Sequence, residues 1–210
     1  MKRLFIFIFG FSTTLIALTS CSGNQQRDRE KAIAKQVESV YVYMDAIYKS
    51  FSKDSLILAM DLIDESIALD STYVLAYQTK ADFLKREKQY EEALQVINIA
   101  FNQHLEVENP ILFLNRGIIY DKLGRIDLAK ADYEAAIPIY NEWAERSPDD
   151  FNALIIRIAL IYLLKGSESG ILACEQSLNK QLNDWEQKEI ETYLDMFQNK
   201  SRSEFVECIN

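Results

Sequence analysis

The chain has 210 residues, 49% of them hydrophobic, with 32 acidic against 23 basic side chains and a formal net charge of −9. That length allows one domain with a proper core, and the acidic balance disfavours nucleic acid and anionic lipid headgroups, which need clustered Lys and Arg. With 6 Gly, 3 Pro and no stretch joining β-branched alternation to hairpin signals, strands have little to start from and the chain is expected to be all-α.

Met1-Lys2-Arg3 is followed by an apolar run from Leu4 to Leu18, long enough for an export signal and short of the roughly 20 residues that cross a bilayer. The run ends in Leu18-Thr19-Ser20-Cys21, which resembles the lipobox of bacterial lipoproteins: an aliphatic residue, two small residues and the cysteine that receives diacylglycerol. The resemblance implies that residues 1–20 are a signal peptide and that Cys21 carries lipid. Cleavage there removes Lys2 and Arg3 and no acid, so the charge moves from −9 to −11 (−9 − 2). Ser22 resembles the signal that allows transfer to the outer membrane, so the expected location is the periplasmic leaflet of a Gram-negative outer membrane. Residues 21–30 are polar and read as a tether, with the domain over 31–200.

Val37, Val40, Tyr41, Met44, Ile47, Tyr48 and Phe51 form one amphipathic stretch. Breaks follow at Ser52–Ser55, Lys85–Gln89, Glu108–Pro110, Leu123–Arg125, Ser147–Asp150 and Lys165–Gly170. Helices separated by such short breaks turn back on one another as antiparallel pairs. Tyr77, Ala81, Leu84, Tyr90, Ala93, Ile97 and Ala100 match Phe113, Gly117, Tyr120, Ile126, Ala129, Tyr133 and Ala136 at one constant shift of 36 residues (113 − 77). Small residues meet small ones, which lets helix backbones approach. A weaker copy precedes them around Tyr43, Ile47, Ala59, Ile63 and Ser66, and a degenerate one follows from Asn152. In the third copy the second helix is about two turns too long and contains Pro138, which predicts a kink. Residues 184–198 read as a capping helix with a polar outer face, and 201–210 as a tail.

The shared spacing resembles the tetratricopeptide repeat, with copies over 40–73, 74–109, 110–147 and 148–180. The resemblance implies an alpha-alpha superhelix of about four helix pairs, with the first helix of each pair lining a concave peptide-binding groove. On that register the inward positions are Tyr41, Met44, Tyr48 and Phe51, then Leu75, Gln78, Asp82 and Lys85. They continue with Leu114, Asn115, Ile118 and Asp121, then Ile155 and Tyr162. This surface suits an apolar or amphipathic segment; alternatively, the first or the last helix folds into it. Some relatives clamp a C-terminal carboxylate with Lys and Asn, but Gln78 and Asp82 stand where those residues would be needed, so carboxylate capture is not expected.

Cys174 and Cys208 either pair, closing a loop of 34 residues (208 − 174) worth roughly 3–4 kcal/mol on the chain-entropy account, or remain buried thiols. With His104 as the lone histidine there is no metal-ligand spacing, and no cofactor is expected. No nucleophile stands beside a base, and no phosphate loop is present, so the expectation is a binding protein and not an enzyme. The leading reading is a lipid-anchored adaptor that holds an envelope protein or peptide. The alternative is an immunity or inhibitor protein that masks a basic toxin or hydrolase.

Overall fold

A computed structural model describes residues 2–50, 52–105 and 111–208, with side chains in the first helix from residue 23 onward and Ser50's left out. Among the described residues the chain is all-helical, with no strand. The elements are α1 (Lys2–Asp45), a π turn (Ala46–Ser50), α2 (Lys53–Leu69), α3 (Val74–Arg86), α4 (Tyr90–Asn102), α5 (Ile111–Lys122), α6 (Ile126–Arg146), α7 (Phe151–Lys165), α8 (Ser167–Leu178), α9 (Asp184–Asn199) and α10 (Arg202–Cys208). They fall into two compact units, Met1–Phe83 and Leu84–Asn210.

In the first unit α1 lies along α2, and the first residues of α3 join them. Ala32, Ile63, Tyr73 and Ala76 make one buried cluster; Tyr43, Ala59 and Phe83 make another. Tyr43 stacks flat on Phe83 at 4.0 Å between ring centroids. Polar contacts fix the register between the helices: the Ser66 hydroxyl donates to Ala32 O at 2.7 Å, and Gln36 Nε2 donates to Thr79 Oγ1 at 2.9 Å. Residues 23–30, read from sequence as a tether, are helical and continuous with the rest of α1. Arg29 donates to Asp70 Oδ2 at 2.7 Å and lies over the Tyr73 ring, so the packed body already begins before Lys31.

In the second unit each of α4 to α8 packs on the next along the chain, and α10 packs back on α5. The small residues singled out by the 36-residue shift, Gly117, Ala93, Ala100, Ala129 and Ala136, are all buried. At Gly117 an added Cβ would stand 2.5 Å from Tyr133 Cε1, so α5 and α6 touch at a point where no side chain fits. The turns repeat as well. Gln89 N donates to Leu84 O at 2.8 Å after Lys88 at φ +58°, and Arg125 N donates to Tyr120 O at 2.8 Å after Gly124 at φ +71°. The positions differ by 36 (124 − 88), so the sequence shift carries a repeated backbone conformation with it. The turn between α7 and α8 breaks the series: a single residue, Gly166 at φ +87°, ends one helix and starts the next.

Helix starts follow local chemistry. Ser52 accepts from Ser55 N, Asp150 from Asn152 N and Ala153 N, and Asn183 with Glu186 forms a capping box. Helix α6 runs unbroken through Pro138 for 21 residues, against 13 for α4. Its added turns bring Trp143 parallel to the buried Tyr140. The segment 201–210, read as a tail, holds α10, whose Phe205 and Val206 are buried. Cys174 is buried and Cys208 exposed, and both are free thiols.

Candidate functional site

The amphipathic stretch of α1 and the π turn that follows it divides into two faces. Tyr43 and Ala46 are buried, with Val40 and Ile47 packed beside them. Ile33, Val37, Tyr41, Met44 and Tyr48 form a second stripe, at steps of four, four, three and four residues, and all are exposed, Tyr41 by 73% and Tyr48 by 64%. A helical residue turns about 100° per step, so this spacing keeps the five side chains on one side. Tyr41, Met44 and Tyr48 join Leu58 of α2 around a cleft of about 570 Å³, edged by the Asp45–Lys49 ion pair. Single exposed apolar residues are ordinary, but a contiguous stripe with two tyrosines and a methionine marks an interaction surface.

Other positions from the sequence reading separate. Leu75 is exposed on α3, whereas Gln78 is buried with its Nε2 unpartnered. Asp82 is half-buried and Lys85 is buried. Phe51 lies outside the described residues, as does the side chain of Cys21.

In the second unit the expected inward positions come together, but not as an open groove. Leu114, Ile118 and Tyr162 are buried, with Ile155 packed against the same cluster, and Phe197 of α9 and Phe205 and Val206 of α10 belong to it. Tyr162 stacks on Phe197 at 4.2 Å and meets Phe205 edge-on at 4.7 Å. The α8 backbone closes beneath this stack, since a Cβ on Gly170 would lie 2.9 Å from both Phe197 Cδ2 and Tyr162 Cβ. Burial raises the Tyr162 hydroxyl and pushes Tyr193, edge-on to Phe197 and Phe205, up to about 12. The groove expected here is therefore filled by the chain itself, because two aromatic rings from the C-terminal helices satisfy the apolar face that α5 and α7 present.

Polar grips flank that apolar contact. Asp121, its side chain nearly inaccessible, accepts from Arg202 Nη2 at 2.7 Å, from Arg202 Nε at 3.2 Å and from the Tyr133 hydroxyl at 2.9 Å. Arg202 also donates to Leu163 O. Burial, then the neighbouring Asp121 carboxylate, raises the Tyr133 hydroxyl, which keeps it a donor. Lys122, with an almost fully buried side chain, reaches Glu207 Oε2 at 3.5 Å and lies over the Tyr90 ring. Burial lowers its pKa, opposed by Glu207. Asn115 is half-buried on α5.

Arg202, Phe205, Glu207 and Lys122 were not singled out from the sequence. With only two buried apolar residues, the segment carrying the first three lacks the periodicity that marks a helix. Ile33 and Val37 were in reach, since they continue the spacing of Tyr41 and Met44 toward the N-terminus. Among the described residues no group of three or more His, Cys, Asp or Glu could hold a metal ion, and no helix is long and apolar enough to cross a membrane. Compared with known protein families and with curated proteins, the chain gives no significant match to either.

Proposed function

We propose that this chain is a membrane-anchored, non-catalytic scaffold of the bacterial cell envelope, built of tetratricopeptide-like helix pairs in a superhelix and holding a partner protein by an apolar segment. The observation that carries the reading is the exposed stripe Ile33, Val37, Tyr41 and Met44 on α1, continued by Tyr48 of the π turn. Its inward neighbours belong to the core clusters, and the stripe is left on the surface beside them. The repeated turns at Lys88 and Gly124 support the repeat, and the Leu18–Cys21 motif supports the anchor through lipid on Cys21.

An amphipathic helix laid along α1 would cover about 22 Å between Ile33 and Tyr48 at 1.5 Å per residue. Such a partner buries aromatic and methionine side chains, which carry much of the energy at protein interfaces. The test is a crosslinked pull-down from membranes with wild-type protein and with a Tyr41→Glu, Tyr48→Glu variant. Loss of partners at an unchanged melting temperature is the expected result. Retention of the same partners by the variant would overturn the reading. Leu114 and Ile118 are unsuited to this test, because a buried Glu there would disrupt the core.

A further inference from the structure

The cleft at Tyr41 and Tyr48 has a neighbour. Ala34 and Glu38 of α1 with Glu65, Ala68 and Leu69 of α2 line a second cleft of about 520 Å³. Ala34, Glu38, Tyr41, Asp45 and Tyr48 follow one another at steps of four, three, four and three residues, so both clefts open on one side of α1 and the π turn. On α2, Leu58 lines the first cleft and Glu65 and Ala68 the second. Asp54 and Asp61 fall on the same row, four residues before Leu58 and three after it. The two clefts are one groove along the α1–α2 pair.

The charges along this groove are unequal. Its lysines are already paired: Lys31 with Asp28 at 3.4 Å, Lys35 with Glu65 at 2.8 Å and Glu38 at 3.6 Å, and Lys49 with Asp45 at 3.3 Å. Asp54 and Asp61 are exposed and, among the described residues, have no basic partner. Lys53, the one basic residue of α2, stands next to Asp54 in sequence and therefore about 100° round the helix, off this row. Asp54 has a local role in the first turn, where an acid suits the helix end. Asp61 has none: it lies mid-helix, four residues from Glu65, and like charges at that spacing weaken a helix. An acid that costs its own helix and stands beside the exposed Ile57 and Leu58 is explained by a cation from outside the chain.

We propose that the segment held along α1 is a basic amphipathic helix: an apolar stripe seated on Tyr41, Met44, Tyr48 and Leu58, with lysine or arginine seven residues apart on its flank to meet Asp54 and Asp61. Those acids are seven positions apart (61 − 54), about 10 Å along α2, which is the repeat a partner helix lying alongside presents. The proposal rests on the reading of the α1 face as a docking surface and adds the sign of its partner's charge. A second copy of this chain is disfavoured as the occupant, because a two-fold contact here sets like charges together. Anionic headgroups are disfavoured for the same reason.

The test uses two fluorescent helical peptides of about 14 residues, the span of the groove from Ala34 to Tyr48 at 1.5 Å per residue. They share one leucine stripe; one carries lysines seven apart on its flank, the other glutamates at the same places. Binding to the full chain is read by anisotropy at low salt. The lysine peptide is expected to bind about tenfold more tightly than the glutamate peptide, or better. Asp54→Asn with Asp61→Asn should weaken the lysine peptide about fivefold at an unchanged or raised melting temperature. Glu134→Gln with Glu145→Gln, an equal charge change at exposed positions of α6, should leave its binding unaltered. Equal losses from both pairs of substitutions indicate general attraction to an acidic protein and overturn the proposal. Equal binding of the two peptides, or binding of neither, also overturns it. Equal binding that disappears with Tyr41→Ser and Tyr48→Ser still supports an apolar docking face, and the membrane pull-down judges that face independently, so the two failures are distinguishable.

Discussion

Lys88 and Gly124 stand at the same point of two turns that match hydrogen bond for hydrogen bond, and only one of them is a glycine. A lysine at φ +58° brings its Cβ toward its own carbonyl, a strain that glycine avoids. Lys88→Gly is expected to raise stability by about 0.5–1 kcal/mol, read as a higher urea midpoint at unchanged slope. The reverse logic applies at Gly117. Ala is the better helix former, but a methyl placed 2.5 Å from Tyr133 Cε1 forces α5 and α6 apart. Gly117→Ala should cost about 1–3 kcal/mol by the same measurement.

Asp70 offers a pH signature. Burial pushes its carboxyl up, but hydrogen bonds from Thr72 and Arg29 outweigh that and leave the pKa below its ordinary value. A carboxyl depressed in the folded state stabilises above its unfolded pKa of about 4 and loses that contribution as pH falls through the folded value. Asp70→Asn should therefore lose stability at pH 6 and little at pH 2.5, so the gap between the two urea midpoints narrows relative to wild type. The thiols differ in the same physical way. Burial, with the Glu175 charge adding to it, holds Cys174 up to about 12, while Cys208 is exposed. In a chain beginning at Ser22, one thiol should react with maleimide in buffer and two in urea.

At the scale of elements, the helix boundaries were largely legible because capping and turn chemistry is local. Ser52, Asp150 and Asn183 announce starts, and Gly124 and Gly166 announce stops. The small residues at Gly117, Ala129 and Ala136 were legible too, since a close backbone approach tolerates nothing larger. What could not be read was which apolar face of α1 turns inward. Val40 and Tyr41 are adjacent in sequence and similar in hydropathy, and only the packing against α2 and α3 sends one to the core and the other to solvent. Helix α10 was hidden for a related reason. Ser201 to Cys208 contains one aromatic and one aliphatic residue, so its burial is decided by Tyr162 and Asp121 far away in sequence, and no local pattern records it. Leu114 and Ile118 on α5 and Tyr162 on α7 were read from the sequence as lining an open face, and in the structure they are buried under rings from the last helices of the chain.

At the scale of the whole chain, the lipid proposal and the acidic surface act together. A mature charge of −11 (−9 − 2) gives no attraction to anionic headgroups, so membrane retention has to come from the acyl chains. Cys21→Ser is accordingly expected to move the protein from the membrane fraction to the soluble fraction. Unchanged retention of that variant would assign the anchorage to a bound protein instead.

The unbroken course of α1 sets a geometric limit on what such a protein can meet. Arg29 already grips Asp70, so the lipid proposed for Cys21 would be separated from the packed body by eight helical residues (29 − 21), a strut of about 12 Å. A flexible leash would let the stripe sweep a hemisphere; a helical strut would narrow the range of heights it reaches above the bilayer. On that proposal the partner would be selected by elevation as well as by chemistry, and a segment presented within a few nanometres of the headgroups would be the one engaged.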